Sequence, residues 1–318
     1  MIWILFIIVC ILLLAAYLCY RFAFYAPTCT EPDSDVIEIP EGEVYEPFRE
    51  EMERWVREIR EMPHEVFYIK SRDGLTLRGK YYEYAPGAPI ELMFHGYRGN
   101  AERDLSGGVQ RCFKVGRSAL VVDQRCSRGS EGNTITFGIR ERKDCLEWIQ
   151  FAVNHFGPDV KLILTGISMG ASTVLMAAGE ELPKNVIGVL ADCGYNSAKA
   201  IICKVLRDMK LPSKLCYPFV RMSARIYGRF DLDEYSPEEA MSTCKLPVIF
   251  FHGADDDFVP CEMSRINYEA CQSRKQLVIV PGAAHGLSYP VDPEGYLQAL
   301  RDFFGPEGSY CEKIPEKS

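Results

Sequence analysis

The chain has 318 residues, 47% of them hydrophobic and 25% charged, a balance typical of a globular protein with a sizeable core. Its net charge of −8 at pH 7 disfavours nucleic acid and anionic lipid as partners, because both are polyanions that basic proteins neutralise. The 13 cysteines include no pair three residues apart and no cluster with histidine. We therefore expect no nucleic-acid partner, no metal site and no disulfide framework, and interpret the cysteines as buried thiols in a reducing environment.

The N-terminal residues 1–26 are apolar apart from Arg21 and a few tyrosines and cysteines. This stretch is long enough to cross a bilayer as a helix. A cleaved signal peptide is the alternative, but no lysine or arginine precedes the apolar run and no clear small-residue cleavage site follows it. We predict a single-pass transmembrane anchor. Arg21 follows the helix and favours a cytoplasmic domain, but one charge leaves the side of the membrane open.

Residues 27–64 are predicted to form an acidic linker followed by an amphipathic helix. The linker, at 28–47, is acidic and contains three prolines, which is typical of an extended tether. Apolar residues then recur every three or four positions, at Phe48, Met52, Val56 and Ile59. This spacing predicts a helix that packs on the domain or on the membrane surface.

From residue 65 onward the pattern changes to strands, and we predict one domain over 65–318. Two β-rich runs around an Asp-Gly turn predict a hairpin, and six short apolar runs follow, at 90–94, 119–122, 162–165, 186–190, 248–251 and 277–280. Such runs, separated by helix-length segments, predict a mostly parallel central sheet with helices on both faces. About fifty residues precede the fifth run, too many for a simple crossover. We interpret 195–240 as a small helical cap.

The run Gly-Ile-Ser-Met-Gly at 166–170 follows a predicted strand and opens a segment of small, helix-compatible residues. This is the context of a G-x-S-x-G nucleophile elbow, in which a tight turn exposes the serine hydroxyl. The helix that begins there supplies free N–H groups and a positive partial charge. Ser168 is therefore the candidate nucleophile.

A serine hydroxyl needs a base within hydrogen-bond distance and a carboxylate to orient that base. Of the five histidines, His285 lies in a loop of small residues after the last predicted strand, and we predict it as the base. His95 and His252 each begin a His-Gly pair at a strand end, and we interpret both as structural. The residues alone leave three candidate carboxylates in one loop, Asp255, Asp256 and Asp257.

The order Ser, Asp, His resembles that of the α/β-hydrolase superfamily, especially its serine-aminopeptidase and monoacylglycerol-lipase-like branch, over about residues 65–304. The resemblance implies an α/β-hydrolase fold without a metal or organic cofactor. The branch pattern His-Gly-x-x-Asp-x-x-Val-Pro matches residues 252–260 and selects Asp256. The resemblance also implies an oxyanion hole formed by the backbone N–H groups of Tyr97 and Met169.

These residues predict a serine hydrolase that acts on carboxylic esters through an acyl-enzyme intermediate. A small-molecule or lipid ester is the expected substrate. The candidate wall for its acyl group consists of five apolar cap residues, Leu206, Leu211, Leu215, Phe219 and Ile226. The same residues could instead bury the helices of the cap itself. A peptidase or amidase of the same fold is the alternative enzyme, and a non-catalytic binding protein is the alternative from another class.

Overall fold

The computed structural model describes residues 2–27 and 35–305. Within them, one sheet of eight strands runs through the domain. In chain order the strands are β1 (Glu65–Lys70), β2 (Thr76–Tyr82), β3 (Ile90–Phe94), β4 (Ser118–Asp123), β5 (Leu162–Ile167), β6 (Val186–Asp192), β7 (Val248–Gly253) and β8 (Lys275–Val280). Their order across the sheet is β1-β2-β4-β3-β5-β6-β7-β8.

The sheet is mostly parallel. β1 pairs antiparallel with β2, and β2 antiparallel with β4, while every later pairing is parallel. The residues of β3, β4, β6 and β7 are all buried, as expected for strands covered on both faces. The carboxyl ends of the parallel strands therefore share one edge, where ligands bind in open α/β sheets. The predicted sheet class is confirmed.

Helices pack against this sheet and also form the N-terminal segment and the cap. They are α1 (Ile2–Ala23), α2 (Arg49–Glu61), α3 (Ala101–Lys114), α4 (Glu141–Phe156), α5 (Met169–Ala178), α6 (Ala198–Asp208), α7 (Ser213–Ser223), α8 (Pro237–Met241), α9 (Glu262–Ala270), α10 (Ser288–Val291) and α11 (Pro293–Phe304). A 3-10 helix, Glu43–Phe48, precedes α2, and a π-helical turn, Ala224–Gly228, continues α7. One core cluster joins α4 and α5 to the sheet, and others join α2, α3 and α11 to it.

The helix α1 is long and apolar enough to cross a membrane, a property shared by anchors and signal sequences. Its first part, residues 2–14, is exposed, but its last turns pack against the cap. Tyr20 and Phe24 are buried in a cluster with Tyr217 and Phe230. The Tyr20 hydroxyl also lies 2.6 Å from the Thr134 hydroxyl. The end of α1 is thus part of the folded domain.

Residues 35–61, which include α2, also pack on the domain. Ile39, Met52 and Trp55 are buried in the cluster that contains α11. The predicted tether includes residues 28–34, which lie outside the described residues, as do residues 306–318 of the predicted domain. The division into anchor, linker and domain stays a prediction.

Candidate active site

Ser168 occupies a tight turn between β5 and α5. Its φ is +56°, in the region that favours glycine, and its backbone N–H donates to the Asp192 carbonyl at 2.8 Å. A Cβ at Gly166 would lie 2.2 Å from the Gly170 carbonyl oxygen, and one at Gly170 would lie 2.0 Å from the Phe94 carbonyl oxygen. Both flanking positions therefore require glycine, because the backbone segments touch there.

The three residues predicted as nucleophile, base and acid come together at the carboxyl edge of the sheet. Nε2 of His285 lies 2.9 Å from the Ser168 hydroxyl oxygen, and Nδ1 lies 2.7 Å from Oδ2 of Asp256. Because the carboxylate can only accept, Nδ1 carries the proton and Nε2 is free to accept from the serine. This hydrogen-bond chain has the geometry of a serine-based acyl-transfer site.

Of the three aspartates in this loop, Asp256 is buried, whereas Asp255 and Asp257 are exposed. Its Oδ1 accepts from the backbone N–H groups of Phe258 at 3.0 Å and Val259 at 2.8 Å. Burial alone would raise the pKa of Asp256, but hydrogen bonds from His252 and His285 outweigh it and lower the pKa to about 2. The carboxylate is therefore ionised at neutral pH, as an orienting group must be.

His95 and His252 hold the surrounding loops. The backbone N–H of Gln124 donates to Nε2 of His95 at 3.0 Å, so Nδ1 of His95 donates to the Gly96 carbonyl at 2.8 Å. Burial lowers the pKa of His95, which keeps the ring neutral. Nε2 of His252 donates to the carbonyl of Val259, 2.8 Å away. Both rings thus hold the loops around the site, and Nε2 of His252 also lies 3.2 Å from Oδ2 of Asp256.

The loop after β3 brings Tyr97 beside the nucleophile. A Cβ placed on Gly96 would lie 3.5 Å from Cβ of Ser168, so this loop passes directly over the serine. The Gly96 N–H donates to Oδ2 of Asp104 at 3.0 Å, which fixes the loop. Met169 is the first residue of α5, and first-turn N–H groups have no acceptor within their helix. These positions fit the predicted oxyanion hole, whose role stays a prediction.

A cavity of about 210 Å³ opens from Ser168 and His285 into the domain. Its walls include Pro40, Tyr45 and Trp55 from the segment before β1, and its floor includes Met93, Leu105, Tyr289 and Tyr296. Leu211, Leu215 and Ile226, three of the five cap residues proposed as an acyl wall, are exposed instead and do not line this cavity. The interpretation of cap residues as an acyl wall was wrong, because none of them lines the cavity, and Leu206 instead lies in the cluster that buries the cap helices.

Two residues at the site carry no signal in the sequence. The Tyr45 hydroxyl donates to the His285 carbonyl at 3.0 Å, from 240 positions away. Sγ of Cys193, after β6, lies within 4.8 Å of the ligand atoms of Asp256 and His285. Burial raises the pKa of this thiol well above its usual value. Asp256 and His285 in the same group are hydrogen-bonded to each other.

No protein-family model matches the chain. It is 27% identical over 246 residues to YqkD, an uncharacterized protein of Bacillus subtilis (strain 168), covering 76% of this chain and 80% of that one. Among solved structures it is similar to the Pyrococcus furiosus esterase Pf2001, with a TM-score of 0.64 and 18% identity over 87% of this chain and 98% of that one.

An acylaminoacyl peptidase of Pyrococcus horikoshii is also similar, with a TM-score of 0.56 and 17% identity over 82% of this chain and 44% of that one. At such identities the likeness establishes the fold, while the chemistry rests on the site. The eight-stranded sheet, its strand order and these structural matches agree with the resemblance seen in the sequence. The chain therefore has an α/β-hydrolase fold.

Proposed function

We propose that this chain is a membrane-anchored serine hydrolase that cleaves carboxylic esters through an acyl-enzyme intermediate. One observation carries the proposal, the hydrogen-bond chain from Ser168 through His285 to Asp256 at the mouth of a cavity. A binding protein has no physical need for a strained serine aimed at an imidazole that a buried carboxylate orients.

The reaction follows from the atoms in place. The Ser168 oxygen attacks the ester carbonyl carbon while its proton moves to Nε2 of His285, and Asp256 stabilises the imidazolium. The backbone N–H groups of Tyr97 and Met169 donate hydrogen bonds to the carbonyl oxygen and stabilise the negative charge that develops on it. The departing alcohol takes the proton from His285, which leaves an acyl-serine. Water then attacks this ester with His285 as base, releasing the acid and restoring Ser168.

The cavity and α1 favour an ester of modest size near a membrane. A volume of about 210 Å³ lies below the roughly 300–1,000 Å³ usual for drug-sized ligands, which favours a short acyl group. The length and apolar character of α1 support anchoring in a bilayer, where small or lipid esters are available. An esterase and a peptidase share this fold, so an amide substrate is the competing outcome.

Labelling with a fluorophosphonate tests the nucleophile. The full chain in detergent is expected to be labelled, Ser168→Ala is expected to lose the label, and Ser242→Ala, at an exposed serine after α8, is expected to keep it. Equal labelling of wild type and Ser168→Ala would refute the assignment. An unlabelled wild type would favour the non-catalytic alternative.

A substrate panel then tests the ester preference. Chromogenic esters of increasing acyl length are compared with aminoacyl amides by kcat/KM. We expect short-chain esters to be hydrolysed fastest, and a preference for the amides would identify a peptidase instead.

A further inference from the structure

We propose that the outer face of the cap lies in the interface of an anionic lipid bilayer beside α1. We call this surface the cap face and define it by five exposed apolar residues, Met209, Leu211, Leu215, Met222 and Ile226. The inference rests on the proposed insertion of α1 in a membrane and adds a second contact to it.

The helix α7 has two apolar sides. Tyr217, Val220 and Ala224 are buried and belong to the cluster that holds the end of α1. On the opposite side, Leu215, Met222 and Ile226 are 77%, 38% and 45% exposed. They are spaced seven and four positions apart, which places them on one helical face. An exposed stripe of this kind next to an apolar helix is typical of a surface that contacts lipid.

The length of α1 determines how close the cap comes to the bilayer. Residues 2–12 precede the first contact of α1 with the cap, and at 1.5 Å per residue they extend about 17 Å. The hydrocarbon core is about 30 Å thick. The Tyr227 hydroxyl of the cap donates to the Leu13 carbonyl at 2.9 Å, so protein flanks α1 from that point onward. An α1 that spans the bilayer therefore draws the adjacent cap into the membrane interface.

The charge of the cap matches such a position. The cap, residues 195–240, contains eight lysines and arginines and six aspartates and glutamates, a net charge of +2 in a chain whose net charge is −8. Its acidic side chains pair with Lys204, Arg221 and Arg225. Arg207, Lys210 and Lys214 are exposed between the apolar residues. Within residues 2–27 and 35–305, no carboxylate lies within ion-pair distance of these three. Basic side chains near a membrane attract anionic headgroups. The net charge of the whole chain thus conceals a basic patch at these three residues.

Another part of the cap, Lys204 in α6, contacts the rim of the cavity. Phe258 lines the cavity and is 43% exposed, and Nζ of Lys204 in α6 lies 5.9 Å from the centre of its ring. Lys204 also donates to the Asp257 carbonyl in the loop of the predicted acid. A cap immersed in the interface brings the cavity mouth close to the lipid headgroups.

Tryptophan quenching in proteoliposomes tests this position. The full chain is reconstituted in phosphatidylcholine and phosphatidylglycerol with brominated acyl chains. Native Trp3 reports on α1, while Trp55 and Trp148 are buried in the domain. On a Trp3→Phe background, Leu215→Trp reports on the cap face, and Tyr68→Trp, 57% exposed on β1, is the matched control.

In these vesicles we expect the tryptophan at position 215 to emit at shorter wavelength than the one at position 68 and to lose most of its fluorescence intensity. The fluorescence of the tryptophan at position 68 should not change. On the Trp3→Phe background, adding Lys210→Glu and Lys214→Glu should reduce the quenching of the tryptophan at position 215. In the chain that keeps Trp3, the same two substitutions should leave the quenching of Trp3 unchanged. Quenching of Trp3 with none at position 215 would overturn the cap inference and leave the anchor intact. An unquenched Trp3 would overturn both. Ser168→Ala should leave every signal unchanged, which separates this test from that of catalysis.

Discussion

The edge of the sheet that carries Ser168 and the walls that surround it are built in different ways. Ser168, Asp256 and His285 sit on loops that follow β5, β7 and β8, so local sequence determines their positions. Part of the cavity wall comes from residues 40–55, more than a hundred positions before Ser168. The end of α1 contacts the neighbouring loop, where the Ala23 carbonyl accepts from the Tyr97 hydroxyl at 2.8 Å. The positions of the reacting side chains thus depend on the strands next to them in sequence. The positions of the surrounding residues depend on packing between distant segments of the chain.

Replacing the acid should have the largest effect and tests the locally encoded part. Asp256→Asn is expected to lower kcat for ester hydrolysis by about 10⁴-fold, because an asparagine stabilises the wrong tautomer of His285. Asp255→Asn and Asp257→Asn change exposed side chains in the same loop and should alter kcat by about twofold or less. Steady-state kinetics on one ester compares all three. A larger loss of kcat in either neighbouring variant would assign the role of the acid to that residue instead.

The docked end of α1 offers a matched pair of phenylalanines. Phe24 is 0% exposed and Phe22 is 70% exposed. Phe24→Ala should lower the free energy of unfolding by about 3–5 kcal/mol, because it opens a cavity in the cluster shared with the cap. Phe22→Ala should change it by about 0.5 kcal/mol or less. Urea unfolding in detergent measures both. Equal effects would mean that the end of α1 is not part of the domain.

The acid also links stability to pH. Its folded pKa of about 2 lies below the unfolded value of about 3.9, so its contribution is fully present above about pH 4 and is lost as the pH falls toward 2. The shift corresponds to about 2 kcal/mol. Comparing wild type with Asp256→Asn at pH 6 and pH 3 should show a smaller acid-induced loss of unfolding free energy in the variant. An equal fall in unfolding free energy between pH 6 and pH 3 in both proteins would show that Asp256 does not cause this pH dependence.

The smallest expected effect concerns the segment before α2. Tyr45→Phe removes the hydrogen bond to the His285 carbonyl, worth about 1 kcal/mol, and leaves the ring in place. We expect kcat/KM to fall by less than about tenfold. Tyr84→Phe, at a half-exposed tyrosine far from the cavity, serves as control and should not change the rate. No difference between the two variants would show that this segment forms a wall without orienting the base.

Sequence reasoning predicted the sheet, the cap and the loops of Ser168 and His285, because strand alternation and the elbow are short-range signals. The residues alone left Asp255, Asp256 and Asp257 open, and only the family resemblance selected Asp256. Sequence reasoning did not place Tyr45 or Trp55 at the cavity, since nothing local distinguishes an apolar residue that lines a cavity from one in a tether. It predicted residues 1–26 as a membrane anchor and did not place the end of α1 against the cap. Tyr20 and Phe24 are as apolar as their neighbours, and only the fold shows that the cap covers them.

The docking of α1 on the cap has a consequence for biosynthesis. Tyr20 and Phe24 leave the ribosome early, but their partners Tyr217 and Phe230 follow roughly 200 residues later, about 10–40 s at usual synthesis rates. During that interval these side chains have no protein surface to cover them. If α1 is inserted in a membrane as it emerges, lipid shields them first, and the completed cap replaces that lipid on one side of the helix. Domain completion would then take place at the bilayer rather than in free solution.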